Sequence, residues 1–278
     1  MHDQANDLRE LVRQDTASGP TAPGLRPQLL VITGGKGGVG TTTVAVNLAV
    51  ELARLKNRTV LVDADLQGGD AAMLSGVDDR YTLADVLQGR RTVCEALQRG
   101  PAGLRVLPAA WALASASQTS TAALQRLIGQ LQALGTEVDL IVVDAGNGLN
   151  RPMRRFWHAA DLVVAVTSPE PTSVIDTYAS IKLHAPDQHS IPIRTLVNRA
   201  PNRSTAREVH NRLAQACRRF LAIDVSGAGY VADDPRVAAA GRARDPLATA
   251  SPRCRAARQI RRLAKTVIQP TKRIAVTA

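Results

Sequence analysis

The chain has 278 residues, enough for one substantial hydrophobic core, and carries a net charge of +11 with an isoelectric point near 10.5. Such a charge favours an anionic partner, whether nucleic acid, a membrane surface or an acidic protein. Aromatic residues make up 3% of the chain, which argues against a stacking platform for single-stranded nucleic acid. The three cysteines (94, 217 and 254) lack metal-ligand spacing, and we find no secretory leader or membrane span. We therefore expect a cytoplasmic protein with reduced thiols.

The first 27 residues differ in composition from the rest. Residues 1–15 are charged, and Ala5, Leu8 and Leu11 recur at helical spacing, which predicts a short helix with an apolar stripe. Residues 16–27 hold three prolines and two glycines, a composition typical of a linker. We therefore predict an N-terminal helix (1–15), a linker (16–27) and one domain (28–278).

From residue 28 onward, segments typical of strands and helices alternate. The strands are predicted at Leu29–Thr33, Thr59–Asp63, Leu104–Pro108, Leu140–Asp144, Leu162–Thr167, Arg194–Asn198 and Gly227–Val231. The main helices are predicted at Thr42–Leu55, Thr82–Gln88, Thr121–Leu134, Ser173–His184 and Thr205–Leu221. This order predicts an α/β fold with a doubly wound, mostly parallel sheet, whose chemistry lies at the carboxyl ends of the strands.

A glycine-rich loop separates the first predicted strand from the first predicted helix. It keeps the glycine frame of the phosphate-binding loop G-x-x-x-x-G-K-[ST], but Thr41 stands where the lysine belongs, and Lys36 lies near its start. A strand, such a loop and a helix in that order aim a helix N-terminus at an anion. The predicted nucleotide-binding residues are Gly35, Lys36, Gly37, Gly38, Val39, Gly40, Thr41, Thr42 and Thr43.

Aspartates follow two of the apolar strands. Asp63 and Asp65 come after Val60–Val62, and Asp144 comes after the run Leu140–Val143. Beside a phosphate loop, such carboxylates are typical magnesium partners, and Asp65 is suited to orient a water molecule. The alternative is that they cap the turns that follow the strands.

Together these motifs resemble the MinD/ParA superfamily of dimerising ATPases, whose loop reads K-G-G-x-G-K-[ST] with an early signature lysine. The resemblance implies ATP and Mg²⁺ as cofactors and an ATP-dependent homodimer. Lys36 would then reach the partner's nucleotide, and Asp65 would position the attacking water, so both would be catalytic. The residues implied for nucleotide and metal are Thr42, Asp63 and Asp144 for Mg²⁺, Thr43 for the α-phosphate, and Asn198 for the adenine.

Within the superfamily, the chain is similar to the FlhG/FleN type of flagellar-number regulator. Residues 82–89 (TLADVLQG) and 170–179 (EPTSVIDTYA) carry motifs of that type. Its D-Q-A-x-x-L-R element, which stimulates an FlhF-type GTPase, is matched by Asp3, Gln4, Ala5, Leu8 and Arg9. The resemblance implies that these five residues bind such a partner, and Gln4 is suited to orient water in the partner's site.

The chain departs from the superfamily pattern at three positions. Thr41 offers one hydroxyl and no charge where a lysine would face the β/γ-phosphates, which predicts ATP binding with weak or no hydrolysis. Asp70 and Ala72 stand where relatives usually have Asn and Asp. The alternatives to an ATP-switched regulator are a pseudo-ATPase binding module or a TadZ/CpaE-like pilus-localisation protein, and then a ParA-like DNA-segregation protein. We rank the last lowest and do not expect nucleic acid as a partner.

The C-terminal segment has an apolar face opposite a basic one. The apolar face is formed by Ile260, Leu263, Ala264, Val267 and Ile268. We expect it to cover the sheet as the last helix, with peripheral membrane contact as the alternative. We also expect Phe156 and Trp157 to pack a helix onto the sheet, and no metal site built from histidines.

Overall fold

The computed structural model describes residues 26–65, 68–109, 120–147, 151–185 and 191–268. The predicted N-terminal helix and nearly all of the predicted linker lie outside these residues. Within them, eight strands form one sheet in the order β3-β4-β2-β5-β1-β6-β7-β8. The strands are β1 (Gln28–Gly34), β2 (Thr59–Asp63), β3 (Gln98–Arg99), β4 (Arg105–Leu107), β5 (Leu140–Asn147), β6 (Leu162–Thr167), β7 (Ile193–Ala200) and β8 (Val225–Ala232).

Every strand pair is parallel except the pair of β3 with β4. The described α-helices are α1 (Thr41–Arg54), α2 (Ala71–Leu74), α3 (Leu83–Leu87), α4 (Val93–Ala96), α5 (Thr121–Gln132), α6 (Arg151–Ala159), α7 (Pro171–His184), α8 (Arg203–Leu221), α9 (Pro235–Arg242), α10 (Leu247–Ala250) and α11 (Arg255–Val267). The doubly wound, mostly parallel sheet predicted from the alternating pattern is confirmed.

The sheet is buried on both faces, which explains why its central strands are almost wholly apolar. In β1, Leu30 and Ile32 belong to one core cluster with α1 and α11, whereas Leu29 and Val31 belong to the opposite cluster with α3, α5 and α6. Successive side chains of a strand point to opposite faces, so one apolar run serves both layers.

The C-terminal helix α11 covers the sheet, as expected. The side chains of Ile260, Leu263 and Val267 are buried and pack with α1 and β8, while the basic side chains of the other face are exposed. Arg261 on α11 also makes a two-pronged ion pair with buried Glu51 on α1, through contacts of 2.9 and 3.1 Å. The apolar face is therefore used within the fold.

Several predicted boundaries need correction. Strand β5 does not end at Asp144 but continues to Asn147, because it stays paired with β1 through a register shift near Gly34. The two-residue strand β3 and the short helices α2, α4, α9 and α10 were not predicted, because segments of two to eight residues carry too little periodicity. The predicted packing of Phe156 and Trp157 is confirmed, since both are buried. Within the described residues, no helix combines the length and apolarity needed to span a bilayer.

Candidate phosphate-binding site

The glycines of the loop between β1 and α1 have steric reasons to be glycine. Gly38 and Gly40 adopt φ angles of +82° and +89°, which side chains disfavour. Gly35 packs against the backbone of residues 176–177 in α7, where a Cβ atom would overlap. A Cβ on Gly40 would also overlap the amide of Asn198. The loop is therefore tightly packed at Gly35 and Gly40, and Gly38 and Gly40 need glycine for their backbone conformation.

Helix α1 starts directly after this loop with an uncapped first turn. Gly40 is its N-cap; among the described residues no side chain caps this turn, and the turn contains no acidic residue. The amide groups at the start of a helix need partners and form its positive end, so they favour an anion. A Cβ on Gly37 or Gly38 would meet nothing within 4 Å of the described chain, so the loop is open there.

Two buried aspartates lie at the ends of neighbouring strands next to the loop. Asp63 of β2 and Asp144 of β5 are partners in the parallel register, and both are fully buried. Burial raises the pKa of Asp144 to about 7, although the nearby Thr42 hydroxyl opposes that shift. Burial, and then the charge of Asp144, raises the pKa of Asp63 well above its usual range. Two such carboxyl groups favour a bound cation.

Asp144 has an unsatisfied oxygen that fits a cation ligand. Its Oδ1 accepts a hydrogen bond from the Gly146 amide at 3.2 Å, whereas its buried Oδ2 has no hydrogen-bond partner among the described residues. Carboxylate and hydroxyl oxygens suit Mg²⁺, which usually keeps waters and is shared with substrate phosphates. The described residues contain no cluster of three or more His, Cys, Asp or Glu side chains able to hold a metal alone. The oxygens of Asp144 and Thr42 therefore fit a Mg²⁺ ion that phosphate also holds.

Both carboxyl oxygens of Asp63 accept hydrogen bonds from backbone amides in the segment that follows β2. Its Oδ1 accepts from the amide of Asp65 at 3.2 Å, and its Oδ2 accepts from the amide of Ala71 at 2.9 Å. The carboxyl group of Asp65 packs against Gly146, where a Cβ atom would overlap it. The structure thus brings Asp65 beside the strand end that carries Asp144, while direct metal ligation by Asp63 stays a prediction.

The comparisons with known proteins agree with this geometry. A family model described as an AAA domain matches residues 28–180. The antiactivator FleN of Pseudomonas aeruginosa is 35% identical over 240 residues, which is 86% of each chain. The chain belongs to the MinD/ParA family, and to its FlhG/FleN type. A flagellum site-determining protein, YlxH of Helicobacter pylori, is 28% identical over 196 residues, covering 70% of this chain and 66% of the relative.

A solved MinD structure shares the fold. The septum site-determining protein MinD of Pyrococcus horikoshii, complexed with Mg-ADP, has a TM-score of 0.74 at 24% identity, over 87% of this chain and 96% of that chain. The family resemblance and fold predicted from the sequence are confirmed. Of the predicted site residues, the structure brings Gly35–Thr43, Asp63, Asp65, Asp144 and Asn198 together at one end of the sheet.

In this MinD/ParA member, the signature lysine is held within its own chain. Lys36 Nζ lies 3.2 Å from Glu170 Oε2 and 3.2 Å from the Thr172 hydroxyl, at the start of α7. Both charged side chains are largely exposed, 42% for Lys36 and 64% for Glu170. Glu170 and Thr172 belong to the motif at residues 170–179, but the sequence alone does not predict their contacts with Lys36.

Asn198 contacts the loop through its amide. Its Nδ2 donates to the carbonyl of Val39 at 2.7 Å, so this group braces the loop. Recognition of adenine by Asn198 stays a prediction, because the described contact is with the protein backbone. Asp70, the extra carboxylate recognised in the sequence, lies close enough for its charge to raise the pKa of Asp144.

One residue next to the loop was missed altogether. Asn147, at the end of β5, accepts a hydrogen bond from the Thr41 hydroxyl at 3.0 Å. The sequence did offer one indication of its role, because Asn147 is a polar residue three positions after Asp144 in a chain whose phosphate loop is altered. The partner-binding residues predicted at the N-terminus (Asp3, Gln4, Ala5, Leu8 and Arg9) lie outside the described residues.

Proposed function

We propose that this protein is an ATP-binding, MinD-like regulator of flagellar number and placement. The observation that carries the proposal is the open phosphate loop at the uncapped start of α1, facing the buried Asp144 whose Oδ2 lacks a partner among the described residues. Relatives named for flagellar site determination and for an antiactivator role support the cellular process.

In this proposal Thr42 and Asp144 hold the metal, and the loop amides and the start of α1 bind the phosphates. The bound Mg²⁺ would neutralise phosphate charge and orient the β- and γ-phosphates. Asp65 orients the attacking water, and Thr43 and Asn198 serve the α-phosphate and the adenine. Thr41 supplies no positive charge, so hydrolysis is slow or absent.

The dimer is the second part of the proposal. Lys36 is exposed, so its ammonium group can leave Glu170 and bind the phosphates of the ATP held by a partner subunit. An exposed ion pair is worth about 0–1 kcal/mol, which makes that exchange inexpensive. ATP and Mg²⁺ then favour a homodimer, and loss of the γ-phosphate dissolves it.

Light scattering after size-exclusion chromatography tests this part. We expect the full chain to run as a dimer with Mg²⁺ and a non-hydrolysable ATP analogue, and as a monomer with ADP. Lys36→Ala should abolish the dimer, whereas Lys182→Ala, a control at an exposed lysine on α7, should not. The proposal would be contradicted if the wild-type chain bound no nucleotide, or if Lys36→Ala formed the dimer as well as the wild type does.

The GTPase-activating role is proposed from the N-terminal element alone. We expect the full chain to raise GTP turnover by an FlhF-type GTPase, with Gln4 orienting water and Leu8 docking in a groove of the partner. Gln4→Ala and Leu8→Ala should remove the stimulation, and Gln14→Ala, a control outside the element, should keep it. Equal stimulation by all three variants would exclude this role and would say nothing against the proposed nucleotide site.

A pseudo-ATPase that works only as a binding module is the second candidate function. Thr41 favours it, because its buried hydroxyl is bonded to Asn147. Sustained ATP turnover that Asp65→Asn abolishes would exclude this candidate. The apolar side of α11 is covered by the fold, so membrane contact through this helix would use its exposed basic side.

A further inference from the structure

Thr41 and Asn147 form a pair that joins both ends of the phosphate loop. Thr41 begins α1 and is 2% exposed, and its hydroxyl donates to Asn147 Oδ1 at 3.0 Å. Asn147 is the register partner of Gly34, the last residue of β1. A Cβ atom on Gly34 would overlap both the Thr41 hydroxyl and Asn147 Oδ1, so the three residues are packed closely together.

This pairing rules Thr41 out as a direct substitute for the lysine. A threonine hydroxyl has one proton to donate, and here Asn147 receives it. Asn147 still has hydrogen-bond donors to offer, because a side-chain amide carries two N–H donors in addition to its carbonyl. Its carbonyl is used by Thr41, its Nδ2 makes no hydrogen bond among the described residues, and its side chain is half-buried.

We infer that Asn147 replaces the lysine as the side-chain donor to the β/γ-phosphates, and that Thr41 is the residue that positions it. The inference rests on the proposed function, in that the loop must bind ATP. Asn147 lies three residues beyond Asp144 on the same strand, and its side chain contacts both the first and the last part of the loop. The hydroxyl of Thr41 holds the carbonyl, which turns the two N–H groups away from Thr41.

An amide donor differs from a lysine in a way that can be measured. It contributes a hydrogen bond to a charged acceptor but no charge of its own. A carboxylate of the same shape would still accept the Thr41 bond, but would place a negative oxygen where the N–H groups were. Asn147→Asp should therefore be more damaging than Asn147→Ala, whereas a merely structural role predicts the reverse order.

The experiment titrates the full chain with a non-hydrolysable ATP analogue and with ADP, both with Mg²⁺, by calorimetry. For the ATP analogue we expect about a tenfold loss of affinity in Asn147→Ala, and about a hundredfold loss in Asn147→Asp. Asn211→Asp, the same change at an exposed position of α8, should bind like wild type. The melting temperatures of the nucleotide-free variants should match the wild type, which separates binding from folding.

The role of Thr41 is tested by a double-mutant cycle. Thr41→Val keeps the branched shape without the hydroxyl and should weaken binding of the ATP analogue severalfold. Thr41→Val combined with Asn147→Ala should weaken it no more than Asn147→Ala alone, because Thr41 acts through Asn147. Wild-type affinity in Asn147→Ala, or additive losses in the double variant, would overturn the inference alone. A wild type that binds neither nucleotide would overturn the proposed function as well.

Discussion

Lys36 and Thr41 stand at opposite ends of one loop, and their surroundings differ sharply. The Lys36 end is open: its side chain is 42% exposed and holds Glu170 and Thr172 by surface contacts. The Thr41 end is closed: the side chain is 2% exposed and is bonded to Asn147 at the end of β5. The end that matches the family is exposed to solvent, and the end that departs from the family is buried.

The difference shows that the altered end of the loop is packed and hydrogen-bonded within the fold. A loop that had merely lost its lysine would leave a polar gap at Thr41, whereas here a new hydrogen bond fills the position. The Thr41 end also continues into α1, which the Glu51–Arg261 pair ties to α11. The loop therefore has a buried side at Thr41 and an exposed side at Lys36, and each can be altered separately.

The largest effect is expected at Asp144, near the buried side of the loop. Its pKa of about 7 exceeds the ordinary value near 4, so the native state holds a proton that the unfolded chain releases. The associated stability is present below about pH 4 and falls as the pH rises towards about 7. Asp144→Asn should raise the free energy of unfolding of the nucleotide-free protein by about 2–4 kcal/mol at pH 8, and should abolish Mg²⁺-dependent binding of ATP.

Denaturant unfolding at pH 5.5 and pH 8 checks this prediction. Because of Asp144, the wild type should have a lower free energy of unfolding at pH 8 than at pH 5.5. In Asp144→Asn most of this difference between the two pH values should disappear. Equal pH profiles for the two proteins would show that Asp144 is ionised in the native state without a cation, contrary to the account.

The next effect compares two glycines in the loop. Gly35→Ala forces a Cβ atom into the backbone of α7 and should destabilise the fold by about 1–3 kcal/mol while lowering nucleotide affinity. Gly37→Ala is the matched control, since its Cβ would meet nothing within 4 Å among the described residues. Thermal unfolding of both variants measures the contrast. Similar losses in both would mean that the loop is uniformly packed.

The smallest effect is expected at the exposed side, at Lys36. Lys36→Ala removes an exposed ion pair and should change the free energy of unfolding of the monomer by less than about 0.5 kcal/mol. Chemical denaturation at low and high salt checks this, with Lys182→Ala as the control. A loss of more than about 1 kcal/mol would show that Lys36 is a structural residue and not one held ready for a partner.

The sequence predicted the fold well because its central strands are long, apolar and bounded by glycines or aspartates. It also predicted that the glycine loop and Asp144 would lie at the same end of the sheet, since both follow neighbouring strands, while their contact with phosphates stays a prediction. It could not predict the Thr41–Asn147 bond, because a contact between residues 106 positions apart depends on the strand register. The Lys36–Glu170 pair was missed for a similar reason, because these residues are 134 positions apart. The bonds of Asp63 to the amides of Asp65 and Ala71 are local, but they depend on the path of the turn after β2, which the sequence pattern does not predict.

We propose that this loop binds Mg-ATP without the charge of the usual lysine, and the substitution Thr41→Lys tests this proposal. Affinity for a non-hydrolysable ATP analogue and steady-state ATP turnover would be measured side by side in wild type and variant. We predict measurable binding with little turnover in the wild type, and about tenfold tighter binding with faster turnover in the variant. Unchanged affinity and unchanged turnover in Thr41→Lys would contradict the account.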